Sequence, residues 1–174
     1  MNDHLAKAPR FLKEVPAGDD RERDVCETCG FVNYNNPKVV VGSVVIHDEK
    51  ILLCRRAIEP RKGYWTLPAG FLENQETAVE GAKREAWEEA RAKLKISSLL
   101  AVYSLTHISQ IQLIYKATLE EPTFSAGPES AEVELFEYED VPWDDLAFPS
   151  VKWALAHARA RWTDERFAPF GNPD

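Results

Sequence analysis

Three glutamates, Glu85, Glu88 and Glu89, fall on one face of a single predicted helix, and this feature constrains the 174-residue chain more than any other. At about 100° per residue the three positions lie within an arc of about 100°. Like charges held that close repel one another, so an isolated helix gains nothing from the arrangement. Two readings follow: a solvated acidic face, or a site for a hard divalent cation, which takes oxygen ligands and offsets the repulsion.

The neighbouring residues favour the cation. Thr77 followed by Glu80 reads as a capping box, so the helix starts near Ala78 and residues 70–76 form the loop that feeds it. Ala78, Val79, Ala82, Ala86 and Ala90 make a stripe of small apolar side chains beside the glutamates. Small residues let a helix approach a sheet closely, which would fix the acidic edge in place. Arg84 lies four residues after Glu80 and four before Glu88, within reach of carboxylates on both sides.

This pattern, Gly70, five residues, Glu76, seven residues, Arg84-Glu85-Ala86, one residue, Glu88-Glu89, resembles the signature box of the Nudix hydrolases. The preceding Trp65-Thr66-Leu67-Pro68-Ala69 resembles the family's approach to the box. One position departs, because Arg91 stands where the family carries glycine. A left-handed helix cap there costs an arginine on the order of 1 kcal/mol, unless the helix runs on past it.

The resemblance implies an α/β protein with the Nudix fold, an α/β/α sandwich around a mixed β-sheet. It implies hydrolysis of the pyrophosphate in a nucleoside diphosphate linked to another group, with Mg2+ or Mn2+. Metal ligation is then assigned to Glu85, Glu88 and Glu89, with the main-chain carbonyl of Gly70. Ions held there would neutralise and orient the pyrophosphate and lower the pKa of a bound water. Arg84 joins the catalytic set as an orienting partner, and Glu76 fixes the loop. The general base is a box glutamate or one from a later loop, where Glu129, Glu132 and Glu134 are the candidates and Glu132 is favoured. An acidic loop and strand is the bland reading of those three. Arg55, Arg56 and Arg61, in an otherwise acidic chain, are candidates to grip substrate phosphate through their planar forks, Arg56 foremost. A solvated loop is their bland reading.

Runs of β-branched residues place strands at 38–46 and 51–54 around a turn at 47–50, with further strands at 99–106, 111–118 and 132–138. Ser150 reads as the cap of a last helix ending near Trp162. The first 25 residues, charged and broken by Pro9, Pro16 and Gly18, read as a loosely packed arm.

Cys26-Glu27-Thr28-Cys29 has the spacing of a zinc knuckle, yet zinc needs four ligands and the only other cysteine, Cys54, lies in a predicted strand. Residues 26–42 resemble the Nudix subgroup of ADP-ribose, FAD and NADH pyrophosphatases that carry a small zinc ribbon. Those proteins have an earlier cysteine pair, where this chain has His4, Lys7 and Arg10. The expected division is therefore 1–37 as an arm with a degenerate ribbon remnant and 38–174 as the Nudix domain, with zinc not expected. The subgroup resemblance also implies release of AMP and, by family analogy, a homodimer.

The net charge of −8 disfavours nucleic acid as a partner. No apolar run approaches the roughly 20 residues of a membrane span, and the N-terminus lacks the apolar centre of a signal peptide, so no membrane partner and a cytoplasmic location are expected. Two other functions stay open: a pyrophosphatase that cleans nucleoside triphosphate pools, and a non-catalytic nucleotide sensor.

Overall fold

The computed structural model describes residues 8–164 and 166–173; His4 and Lys7 lie outside the described residues. The chain divides into two units, Met1–Pro37 and Lys38–Asp174.

The first unit holds a three-stranded antiparallel sheet of β1 (Phe11–Glu14), β2 (Arg23–Cys26) and β3 (Val32–Asn33). Here the structure corrects the loose arm expected over the first 25 residues. Pro16 and Gly18, which read as breakers, build the connection between two paired strands: the Asp19 amide donates to the Pro16 carbonyl at 3.0 Å, and Gly18 takes a φ of +85°. The Arg23 guanidinium bonds the Asp19 carboxylate at 2.9 Å and holds its pKa down at about 2. Lys13 and Asp24, opposite each other in the ladder, form a 2.8 Å ion pair.

The second unit is a mixed sheet between two helices. Its strands are β4 (Lys38–His47), β5 (Lys50–Arg56), β6 (Trp65–Thr66), β7 (Ala69–Phe71), β8 (Leu94–Leu105), β9 (Gln110–Leu119) and β10 (Ser130–Phe136). The order is β10-β5-β4-β9-β8, with β6 added to β5 and β7 to β4. β4 runs parallel to β9, and the other pairs are antiparallel. Helix α1 (Ala78–Ala90) covers one face and α2 (Pro149–Ala160) the other.

Strand alternation sorts the core between the faces. Val45, Leu52, Cys54, Ala117 and Leu119 pack with Ala86 and Ala90 of α1. Val44, Ile46, Ile51, Leu53 and Ile114 pack with Val151, Ala154, Leu155 and Ala158 of α2. The expected alanine stripe does press the helix onto the sheet, since Ala82, Ala86 and Ala90 are fully buried.

Ser150 does not cap α2. Phe148 is the N-cap, and Pro149 opens the helix with a preset φ and no amide to satisfy. Beyond the other end, the buried Lys116 ammonium donates to the carbonyls of Arg161, Trp162 and Asp164 at 2.7, 2.7 and 3.0 Å. A cation suits these carbonyls, where the helix dipole is negative.

Candidate active site

Thr77 and Glu80 form the capping box read from the sequence. The Glu80 amide donates to Thr77 Oγ1 at 3.2 Å, and the Thr77 amide donates to Glu80 Oε2 at 2.8 Å. Arg91 settles the other end by adopting the left-handed conformation, φ 50° and ψ 25°. Its amide bonds the Trp87 carbonyl at 3.0 Å, its guanidinium reaches the same oxygen at 3.2 Å, and the charge sits 5.6 Å from the Trp87 ring centroid. These contacts offset the strain that glycine would avoid.

The loop after β9 finishes the same helix end. Ser125 and Gly127 donate their amides to the carbonyls of Ala90 and Glu89, both at 2.9 Å. A side chain at 127 would collide with the Glu88 carbonyl, so glycine is required for this approach. The Glu129 carbonyl then accepts the Ala57 amide at 2.8 Å, which ties the loop to the end of β5.

Arg84 sits at the centre of the carboxylates. Its Nε and one terminal nitrogen bond both oxygens of Glu76 at 3.0 and 2.8 Å. The other terminal nitrogen bonds Glu85 at 2.7 Å and Glu88 at 2.9 Å, and the Phe71 carbonyl takes a further bond at 3.0 Å. This forked pairing holds the Glu76 pKa down at about 2. Glu76 in turn accepts the Glu73 amide at 2.8 Å, so loop and helix become one rigid piece.

Glu85 and Glu89 are buried, while Glu88 is half exposed. Burial pushes the Glu85 carboxyl up against the pull of Arg84, and the charges of Glu88 and Glu129 push the same way. Glu89 is raised further, to about 8, by burial first and then by the charges of Glu85 and Glu129. The Ala69 amide, donating to Glu89 at 3.0 Å, and the charge of Arg56 pull it down again. Gly70 lies directly under Glu85, whose carboxylate occupies the space a Cβ at 70 would fill. Two carboxyls raised chiefly by burial, with neighbouring carboxylates pushing the same way, beside a glycine, offer hard oxygen donors of the kind a divalent cation takes.

Not every residue singled out from the sequence joins this cluster. Glu132 lies elsewhere, because in β10 Val133 and Leu135 face the α1 side and period-two alternation turns Glu132 and Glu134 to the other face. Glu132 pairs instead with Arg55 at 3.0 Å, and Arg55 also bonds the Gly63 carbonyl at 2.9 Å. Of the loop candidates, Glu129 is the one whose charge bears on Glu85 and Glu89. The parity of β5 separates the two arginines in the same way. Leu52 and Cys54 pack on the α1 side and Ile51 and Leu53 on the other, so strand alternation starts Arg56 on the α1 side and Arg55 on the opposite one, although the Arg56 side chain reaches Phe148 of the α2-side cluster. Arg56 Nε bonds the Pro60 carbonyl at 2.7 Å, and its guanidinium lies 5.6 Å from the Phe148 ring centroid. Arg61 stacks over Tyr64 at 5.3 Å. Ser125 escaped the sequence reading, and Gly127, part of a Gly127-Pro128-Glu129-Ser130 segment that resembles the subgroup, was given no role in holding the helix end.

Among the described residues, no helix is long and apolar enough to cross a membrane.

Comparison with known proteins gives a consistent result. The NUDIX domain family model matches residues 36–158, and the Nudix N-terminal zinc-ribbon model matches residues 9–35. The ADP-ribose pyrophosphatase of Methanocaldococcus jannaschii is 37% identical over 125 residues, 68% of this chain and 72% of that protein. The crystal structure of a NUDIX hydrolase from Nitrosomonas europaea is 40% identical, with 100% of both chains covered and a TM-score of 0.88. An ADP-ribose pyrophosphatase from Streptococcus suis shares the fold at 18% identity, with a TM-score of 0.68 over 79% of this chain and 100% of that one.

Proposed function

Because the chain belongs to the Nudix hydrolase family and is a pyrophosphohydrolase, we propose that it cleaves the pyrophosphate of a nucleoside diphosphate linked to another group, ADP-ribose first, and releases AMP. The observation that carries this reading is the clustering of Glu85, Glu88 and Glu89 on one edge of α1, where Arg84 bonds the first two and the charge of Glu129 bears on Glu85 and Glu89. The substrate choice rests on the archaeal relative, an ADP-ribose pyrophosphatase with substantial identity over most of both chains.

Glu85, Glu88 and Glu89, with the Gly70 carbonyl, would hold Mg2+ or Mn2+, and the chemistry supplied is neutralisation of the pyrophosphate and acidification of the attacking water. The chain's own groups do the rest. The Glu129 carboxylate takes the proton of that water, a role supported by the effect of its charge on the buried pair. Arg56, on the same face of the sheet, holds phosphate oxygens through its fork. Arg84 positions the glutamates and takes no part in proton transfer, since its pKa is raised by the Glu76 bonds. The same reading takes FAD and NADH as secondary substrates, the cytoplasm as the compartment and a homodimer as the assembly.

The test is an assay of purified protein with Mg2+ against ADP-ribose, FAD, NADH and a panel of nucleoside triphosphates. AMP release from ADP-ribose is expected, and Glu89→Gln, which keeps the side-chain shape, should abolish it while nucleotide still binds. If AMP appears from none of the linked diphosphates but triphosphates are cleaved, the substrate assignment is overturned. Turnover undiminished in Glu89→Gln would overturn the site.

A further inference from the structure

The sheet of the N-terminal unit has an open side at β1. Its order is β1-β2-β3, and among the described residues β1 pairs with β2 alone. An edge strand of this kind presents backbone amides and carbonyls to any chain that can pair with them. Two hydrogen bonds fix which groups these are. The Glu27 amide donates to the Arg10 carbonyl at 3.0 Å, and the Cys26 amide donates to the Phe31 carbonyl at 2.8 Å. Cys26 therefore turns its backbone towards β3 and Glu27 towards β1, so by alternation Arg10, Leu12 and Glu14 turn theirs towards β2. The backbone groups of Phe11 and Lys13 point outward, and Pro9, which has no amide, ends the row.

All four residues of β1 are exposed, the large apolar side chains of Phe11 and Leu12 by 40% and 38%. Glu14 has no ion-pair partner among the described residues, and Arg10 reaches Glu27 at 3.6 Å. The strand complements itself when run backwards. With two copies antiparallel about a two-fold axis at Leu12, the outward backbone groups of Phe11 meet those of Lys13 in the second copy. Arg10 then lies opposite Glu14, Leu12 opposite Leu12, and the Lys13 ammonium beside the Phe11 ring. Val25, the ladder partner of Leu12, widens the apolar contact on that face. Moving the axis to Lys13 sets two ammoniums against each other, and moving it to Phe11 leaves Glu14 opposite Ala8. The register centred on Leu12 is the one of these that joins Arg10 to Glu14.

We propose, resting on the homodimer read above, that two copies of this chain join through their β1 strands about an axis at Leu12, giving one continuous sheet in the order β3-β2-β1-β1-β2-β3. The backbone ladder sets the orientation of the two copies, and the Arg10 and Glu14 charges select the register. The same strand is used on both sides, so the contact closes at two copies.

The test uses full-length protein carrying Cys29→Ser, which removes the exposed native thiol. Mild oxidation followed by disulfide peptide mapping should show Leu12→Cys joining two chains through the introduced thiols, because residues opposed in this way lie within disulfide reach. Lys13→Cys, opposite Phe11, should not join them. In sedimentation equilibrium Glu14→Arg, which sets like charges together at both ends of the ladder, should weaken the dimer by about tenfold or more, and adding Arg10→Glu should restore it. Restoration by the second change separates a lost ion pair from a misfolded strand. A chain that stays monomeric at micromolar concentration would overturn both the surface and the assembly. A stable dimer that Leu12→Cys does not lock, or that Glu14→Arg leaves intact, would overturn the surface and leave the homodimer standing.

Discussion

The two faces of the main sheet carry helices of similar length and opposite character. Beneath α1 the contact layer is alanine, and the helix edge ends in the buried carboxyls of Glu85 and Glu89, whose pKa values burial and neighbouring carboxylates push up. Beneath α2 the layer is aromatic: Tyr103 is fully buried, its hydroxyl bonds His157 Nδ1 at 2.7 Å, and the His157 ring stacks on Phe170 at 4.1 Å. The α2 face gains packing and ring contacts from its arrangement, whereas the α1 face stores charge that only a cation or a proton relieves. One sheet thus separates an aromatic, packed layer from a layer of charged carboxylates, where the proposed chemistry would take place. Adjacent residues of a strand fall on opposite sides of that division.

The sharpest way to break this comparison uses the two loop glutamates. Glu129→Gln should lower kcat by on the order of 100-fold to 10,000-fold, as expected for loss of a general base, while Glu132→Gln on the other face should change kcat less than about twofold. Equal losses in steady-state assays would remove the distinction between the faces. Gly70→Ala places a methyl group where the Glu85 carboxylate lies. On the order of a 10-fold to 100-fold loss of metal affinity is expected, with the melting temperature of the metal-free protein little changed. The neighbouring arginines give a smaller contrast. Arg56→Ala should raise KM about tenfold, about 1.4 kcal/mol, and Arg55→Ala should leave it nearly unchanged.

The stored charge can also be read through pH. The Glu89 carboxyl is raised from an ordinary 4.5 to about 8 in the folded chain. A carboxyl raised in this way stabilises the metal-free fold fully below about pH 4.5, and that contribution is lost as the pH rises through about 8. Cation binding requires the ionised form, so Mg2+ should raise the melting temperature more above about pH 8 than near pH 6. Calorimetry near neutral pH should record proton release on binding. A pH-independent Mg2+ effect would mean that Glu89 is not a ligand. On the opposite face Lys116→Met, which leaves three carbonyls without their cation, should lower stability by roughly 1–3 kcal/mol in denaturant melts with little effect on KM.

Much of the helix's local geometry was legible in the chain. The capping box, the alanine stripe and the bracing role of Arg84 all depend on contacts within a few helical turns, and helical spacing fixes those. The ribbon strands were not legible, because Pro16 and Gly18 signal a break whether it is a linker or a hairpin turn. Which way Arg91 would resolve was also open: its left-handed conformation is held by Trp87, and the carbonyls beside it are satisfied by a loop some 35 residues away in sequence.

The sequence by itself determined the helix that carries the carboxylates, its cap and most of the strands, because local periodicity and spacing encode these, while the mixed sheet was implied by the family resemblance. Only the tertiary structure decided which distant groups join them. Glu132 and Arg55 pair with each other, while the charges of Glu129 and Arg56 are the ones that bear on Glu89, because strand parity, an irregularity in β10 between Ser130 and Glu132, and the docking of Gly127 on the end of α1 sort these side chains. A shift of one residue in a strand reverses its face, and that register is fixed by long-range pairing.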